Sequence, residues 1–576
     1  MKTWKTVSMV VVVVAVLLSA CASPTPQVVE KEVVVEKEVP VTVEVEKEKV
    51  VEKTIVETVM VEKEVVVTAT PEAPTPKEGG RLVYVLHQSP EILDPRQAQK
   101  ALEAAVCFNI YDTLTRQRED MKLVPGLAER WESSEDAKTW TFYLRTGVTF
   151  HDGTPFTAEA VKYTFDSIKD PDFPAGGIAL GNLDGYDHTE IVDDYTVKVH
   201  FKEPRPYFGQ LAGDAFLNIV PPGAGPELAQ QPVGTGPFMF KEMVPGDHIT
   251  LVRNPDYNWA PEEVFDHQGP AYLGELVYKV ILDGQTRLST LESGEVQIVE
   301  DIPFADVPRL KEDPRFNVLT IAYPGMPLCQ STNVSKPPFD DINVRKAVNY
   351  ATDREEIVRI VYLDTTTPAY GPLTSTFEEY NPEVEEYYLY DPEKAKELLE
   401  AAGWVDTDGD GIREKDGNEL KVTLVGSTGS FKWAELLQAQ WAKVGISVEI
   451  SYMAGSGLVE ALHSCEYEGG ALGSVHAVLS RQFGFWHSSQ IGVGWNWNCI
   501  EDPKLDELLE AAIGEVDPAK RTAIWKDFQI YFKEQAYAIP MVDYVVHTGM
   551  SSKVAGLKVS SRGFDKWLYD VHYLQD

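Results

Sequence analysis

Basic residues are scarce in this chain. Its 576 residues hold 52 Lys and Arg against 90 Asp and Glu, a formal net charge of −38. So acidic a chain argues against a nucleic-acid binder, which needs a basic face for phosphates. Cysteine is rarer still, at five residues, with no C-x-x-C pair. There is no G-x-S-x-G elbow, no H-E-x-x-H helix and no Walker A loop. No enzyme class announces itself, no cofactor is implied, and ATP-driven work would have to come from a partner. Sequence does not exclude acid/base carboxylate pairs, but solvated faces account better for Asp and Glu at this density. Residues 22–78 contain no aromatic residue, so they cannot build a core. The one long apolar run, Val7 to Leu18, is shorter than the roughly 20 residues of a comfortable membrane span.

That run suits a secretory leader, with Lys2 and Lys5 as its basic flank. Leu18-Ser19-Ala20-Cys21 follows. Small residues before a cysteine resemble a bacterial lipobox, which implies removal of residues 1–20 and lipidation of Cys21; the alternative is an ordinary leader with an incidental cysteine. From 21 to 78 the chain repeats Val-Glu-Lys-Glu blocks, at Val29, Val35, Val45 and Val61. The Val spacing fits neither a clean heptad nor strict alternation. The expected role is a stalk between a lipid anchor and a globular body, with a coiled coil as the alternative.

The body is mixed α/β sequence without an internal repeat. Arg81 to Leu86 reads as a strand, and Ala101 to Leu114 as a helix with Val106, Ile110 and Leu114 on one face. Trp140 to Arg145 alternates as a strand, and Val148 to Phe150 resumes the alternation after Thr146-Gly147, so the two are expected to pair as a hairpin. Thr157 should cap a helix carrying Val161, Phe165 and Ile168. Asp391-Pro392, Asp502-Pro503 and Asp517-Pro518 each read as an N-cap followed by proline in the first turn. Asp353 and Glu356 form a D-x-x-E start signal. Trp433, Leu437, Trp441 and Val444 make a helical stripe before Gly445. Asp406, Asp408 and Asp410 with Gly411 open like a calcium loop, but position twelve is Gly417 where a bidentate Glu belongs. A polar turn is the better reading, and no metal is assigned.

Several separated blocks carry a resemblance. They are Leu127 to Asp166, Gly234-Thr-Gly-Pro-Phe238, Asn254-Pro-Asp-Tyr-Asn-Trp259, Thr286 to Val296, and Lys336 to Ala351. Their order and wording resemble the family 5 extracellular solute-binding proteins of ABC transporters, a group containing oligopeptide-, dipeptide- and nickel-binding proteins. Two departures are small: an extra residue precedes Trp259, and Gln297 stands where Asp is usual. The resemblance implies an α/β, two-lobed periplasmic-binding-protein-like fold with a hinge and an extra subdomain in the first lobe. It places the first lobe at 79–111, 220–325 and 544–576, its subdomain at 112–219, and the second lobe at 326–543. It implies a protein outside the cytoplasm that hands a solute to ABC permease and ATPase subunits, and with the lipobox-like segment before Cys21 the expected place is the outer face of the membrane. Peptide is the default ligand. A surface receptor or adhesin that uses the fold without transport is the rival of another class.

By the same resemblance the cleft is lined by His87 and its loop, Asn109, and the crossover from Met326 to Asn333. Peptide-binding members carry an Asp that pairs with the ligand's amino group, a charge-assisted bond. Here the segment reads Leu472-Gly-Ser-Val-His-Ala-Val478, with Ala477 near that position and no acid close by. Ser474, His476, Trp495, Trp497 and Asn498 become the candidate contacts. Aromatic faces beside amides suit an oligosaccharide as well as a peptide, and equally suit a core. His476 is either an orienting donor or an ordinary interior histidine. Cys465 with Cys499, both in the second lobe, is the first disulfide expected. Cys107 with Cys329 is the second, with two buried free thiols as its alternative.

Overall fold

A computed structural model describes residues 34–41, 53–60, 76–427, 431–453, 455–475, 478–560, 562–563 and 566–575. The chain divides into two units, Met1–Thr75 and Pro76–Asp576. In the first, Val34–Val41 pairs antiparallel with Lys53–Met60, Val34 opposite Met60. These residues are extended, so no coiled coil runs through them. The leader and Cys21 lie outside the described residues.

Two sheets organise the second unit. The first sheet has seven strands, in the order Phe238–Val244, His248–Arg253, Glu275–Val280, Arg81–Leu86, Ile298–Val299, Val545–Ser551 and Phe316–Ala322. Arg81–Leu86 lies at its centre, parallel to both neighbours. Leu82, Tyr84, Val85 and Leu86 are all buried, which is why this strand reads as an unbroken apolar run. The second sheet has five strands, in the order Ser447–Tyr452, Lys421–Gly426, Gly469–Val475, Gly325–Thr332 and Ala538–Val542.

The backbone passes between the sheets at two places, from Ala322 to Gly325 and from Val542 to Val545. The two crossings run side by side. Ala322 pairs with Val545 on the first sheet and Leu328 with Val542 on the second. Between them the Tyr323 N–H donates to the Tyr544 carbonyl at 2.8 Å. Two short adjacent connections concentrate any relative motion in a few backbone dihedrals, the geometry of a hinge.

An accessory sheet of four strands, Ala128–Ser133, Thr139–Leu144, Thr196–Phe201 and Tyr186–Asp193, stands on the first sheet's side of the crossings. It corrects one expectation. Thr139–Leu144 is flanked on both edges by Ala128–Ser133 and Thr196–Phe201, so no edge is left for Val148 to Phe150. Those residues fold back instead on Thr154 and Phe156, through Phe150 N–H to Thr154 O and Phe156 N–H to Val148 O. The helix Ala158–Lys169 starts after Thr157 as expected, although the Thr157 hydroxyl makes no capping bond.

The first long helix is also shorter than its periodicity predicts, ending at Cys107. The Gly234–Phe238 turn is the cause. Gly236 N–H donates to the Ile110 carbonyl at 2.8 Å and Phe238 N–H to the Asn109 carbonyl at 3.1 Å, taking carbonyls that another helical turn would need. A Cβ at Gly234 would stand 2.1 Å from the Ile110 oxygen, so only glycine permits this approach. Asp112 closes the junction, accepting from Thr235 Oγ1 at 2.9 Å, from Trp259 Nε1 at 3.1 Å and from Arg116. Two of the sequence blocks thus meet at one buried carboxylate.

Around the second sheet the helix starts follow the sequence. Asp353, Asp391, Asp502 and Asp517 each cap with their side chains, and proline opens the last three helices. Trp433, Leu437, Trp441 and Val444 are buried together. Asp406, Asp408 and Asp410 form a polar turn in which each carboxylate accepts backbone N–H groups two to five residues ahead. Glu414 joins them, accepting from Thr407 N–H at 2.9 Å.

Candidate functional site

The space between the two sheets is the candidate site, and a buried ionic cluster lies at the end of the first sheet's central strand. His87 follows the central strand, and its Nδ1 stands 3.5 Å from Glu300 Oε2. Glu300 is only 2% exposed. Its other oxygen accepts from Tyr84 OH at 2.6 Å and from Lys566 Nζ at 2.8 Å. Burial alone would push this carboxyl up; Lys566 and His87 outweigh it and hold the group down at about 2. Burial and the Glu300 charge raise Tyr84 well above an ordinary phenol. His87 is part-exposed at the edge of this cluster, with a side-chain exposure of 31%.

Asn109 was expected at the ligand, and the structure gives it a different task. It is buried, and its Nδ2 donates to Lys566 O at 2.9 Å, Tyr278 OH at 3.0 Å and Ala105 O at 3.2 Å. Its Oδ1 accepts from Leu568 N–H at 2.9 Å. Asn109 therefore fixes the C-terminal segment that carries Lys566. Asn498 is placed similarly in the second lobe. It is fully buried, and Nδ2 donates to Tyr537 O at 2.7 Å and Thr332 O at 3.1 Å. The crossover strand behaves alike: Asn333 Nδ2 donates to the carbonyls of Cys465 and Tyr467, and Thr332 Oγ1 to that of Tyr537.

The two tryptophans separate. Trp495 is 41% exposed and stacks on Phe485 with ring centroids 5.0 Å apart, so one indole face is open to solvent. Trp497 is part-buried against Leu462 and Tyr467, which makes it a packing residue. Ser474 pairs by its backbone with Met326; its side chain and all of His476 lie outside the described residues. Cys465 and Cys499 are disulfide-bonded, with Cα atoms 6.2 Å apart. Cys107 and Cys329 remain free and buried, correcting the second pairing. Cys107 sits in the first lobe's helix and Cys329 in the second sheet. Burial pushes the Cys329 thiol up to about 12.

Glu300, Lys566 and Arg481 carry no local sequence signal. Gln297 Oε1 accepts from Val83 N–H at 2.9 Å, so the residue standing for the usual Asp fastens the central strand. Arg481 reaches Asn182 and Asp214 across the gap between the lobes. Burial disfavours its charged form and Asp214 opposes that effect.

Two sheets joined by a paired crossing define the two-lobed class of periplasmic binding proteins. The family model described as bacterial extracellular solute-binding proteins, family 5 middle, matches residues 122–488. The chain is 30% identical over 476 residues to heme-binding protein A of Haemophilus influenzae, covering 77% of this chain and 82% of that one. It is 31% identical over 461 residues to the glutathione-binding protein GsiB of Pectobacterium atrosepticum, covering 76% and 83%. The oligopeptide-binding protein AppA of Bacillus subtilis, solved with a nonapeptide, superposes with a TM-score of 0.73 at 25% identity, over 87% of this chain and all of that one. The chain belongs to the family 5 extracellular solute-binding proteins. It therefore stands among binding proteins rather than enzymes, in a family that works outside the cytoplasm. No helix among the described residues is long and apolar enough to cross a membrane.

Proposed function

We propose that this protein captures a peptide between its two sheets and delivers it to the permease and ATPase subunits of an ABC importer, held at the membrane by a lipid on Cys21. The paired crossing at Ala322–Gly325 and Val542–Val545 carries the reading. It lets the two lobes close on a solute, and the closed form is what a permease would recognise. Peptide is preferred because two of the three relatives named above are named for peptides, glutathione being a tripeptide. Binding is noncovalent, and no residue is assigned a catalytic step. Without an Asp near Ala477, an amino terminus would need another acceptor. The part-exposed His87 beside Glu300 and the open face of Trp495 are the described groups placed to meet a ligand.

A thermal-shift screen of the purified protein tests this, using peptides of two to nine residues, cello- and xylo-oligosaccharides, and nickel chelates. A solute that binds only the folded form stabilises it by about 2.7 kcal/mol at a hundred times its dissociation constant. Stabilisation by peptides supports the reading. Stabilisation by oligosaccharides alone replaces it with a sugar-binding member.

A further inference from the structure

The two lobes also meet at a seam away from their crossings. Arg481 lies in the turn Leu479–Gln482 that follows the second sheet's strand Gly469–Val475. Its Nη2 donates to Asn182 Oδ1 at 2.8 Å and to Asp214 Oδ2 at 3.1 Å. Both acceptors lie on the first lobe's side, beside the accessory sheet. Asp214 is anchored there by its other oxygen, which accepts from Phe216 N–H at 3.0 Å and from Arg562 Nη1 at 2.7 Å. One carboxylate oxygen is thus fixed within the first lobe, and the other is turned to the second. A further bond crosses the same seam: Trp525 Nε1 donates to Tyr207 OH at 2.7 Å, and the Arg521 guanidinium lies 4.8 Å from the Tyr207 ring centroid.

The charge contact is sheltered. The side chain of Arg481 is 19% exposed and that of Asp214 5%, so salt screens the pair less than a surface pair. Opening the lobes takes Arg481 away but leaves Asp214 with Arg562. The bond therefore favours closure without orphaning a buried carboxylate in the open form.

We propose that Arg481, Asp214 and Asn182 are positioning residues that clasp the lobes, setting solute affinity through the balance of open and closed forms rather than by touching solute. This rests on the hinged two-lobe fold and not on the peptide reading, so it holds whatever solute is bound.

The test uses the full chain in a Cys21→Ser background, without solute. Spin labels are placed at Ile191→Cys and Val516→Cys, both exposed and on opposite lobes. Distances are read by double electron–electron resonance. Arg481→Gln is expected to lower the closed, short-distance population about tenfold, with the chemical-denaturation midpoint nearly unchanged. Arg481→Lys, which keeps the charge but not the planar fork, should fall between. An unchanged distance distribution in Arg481→Gln overturns the clasp. If that variant does not fold, Asn182→Ala is read in the same way, and an unchanged distribution there overturns it too.

Discussion

Glu300 and Asp214 are both buried carboxylates held by cations, yet they differ in where their partners come from. Glu300 takes Tyr84, His87 and Lys566, all from the first lobe. Asp214 takes Arg562 from the first lobe and Arg481 from the second. A bond within one lobe exists whenever that lobe is folded, so its energy appears in unfolding. A bond between lobes exists only when they are closed, so its energy appears in the open–closed balance. Similar chemistry serves the fold in one place and the motion in the other.

The largest expected effect tests the first half of this contrast. Lys566→Met leaves Glu300 buried with its main counter-charge gone, which should cost about 3–5 kcal/mol of unfolding free energy in a denaturant titration. A loss under 1 kcal/mol would mean that His87 alone suffices.

Glu300 also makes an acid limb. Its carboxyl is held near 2, against an ordinary value of 4.5. The folded value is the lower one, so its contribution is complete above pH 4.5 and is lost as pH falls toward 2. Glu300→Gln should flatten the stability profile over that window by on the order of 3 kcal/mol, read as denaturation midpoints against pH. Should the variant keep the wild-type slope, another group is responsible.

The disulfide is a second link within one lobe, joining residues 34 apart. Replacing both Cys465 and Cys499 with serine should cost about 2–3 kcal/mol, again visible in unfolding, while the distance between lobes stays as it was. Movement between the lobes would place the bridge among the closure contacts.

Arg481→Gln is the smallest of these in stability, at about 1 kcal/mol or less, because Asp214 keeps Arg562. A loss comparable to that of Lys566→Met would erase the distinction between the two carboxylates.

The sequence was most informative where local chemistry decides structure. The Asp-Pro helix starts at 391, 502 and 517 were legible because an N-cap and a first-turn proline act within three residues. The stripe from Trp433 to Val444 was legible because helical periodicity repeats. Local pattern failed where a distant segment intervened. Nothing in Ala101 to Leu114 reveals that the turn at Gly234 will take the Ile110 carbonyl. Nothing in Trp140 to Phe150 reveals that both edges of the strand are already flanked.

The site suffers most from this distance. Lys566 meets Glu300 across 266 residues and Arg481 meets Asp214 across 267, so neither pair has a spacing to read. Asn109 entered as a contact through the family resemblance and Asn498 because an amide beside aromatic faces suits a ligand. Both amides are buried and donate largely to backbone carbonyls, which only packing reveals.

The central claim is that a solute closes two hinged lobes. Small-angle X-ray scattering, with and without the solute that gives the largest thermal shift, tests it most directly. The radius of gyration is expected to fall when the solute is bound. A solute that stabilises the protein and leaves the radius unchanged would contradict it.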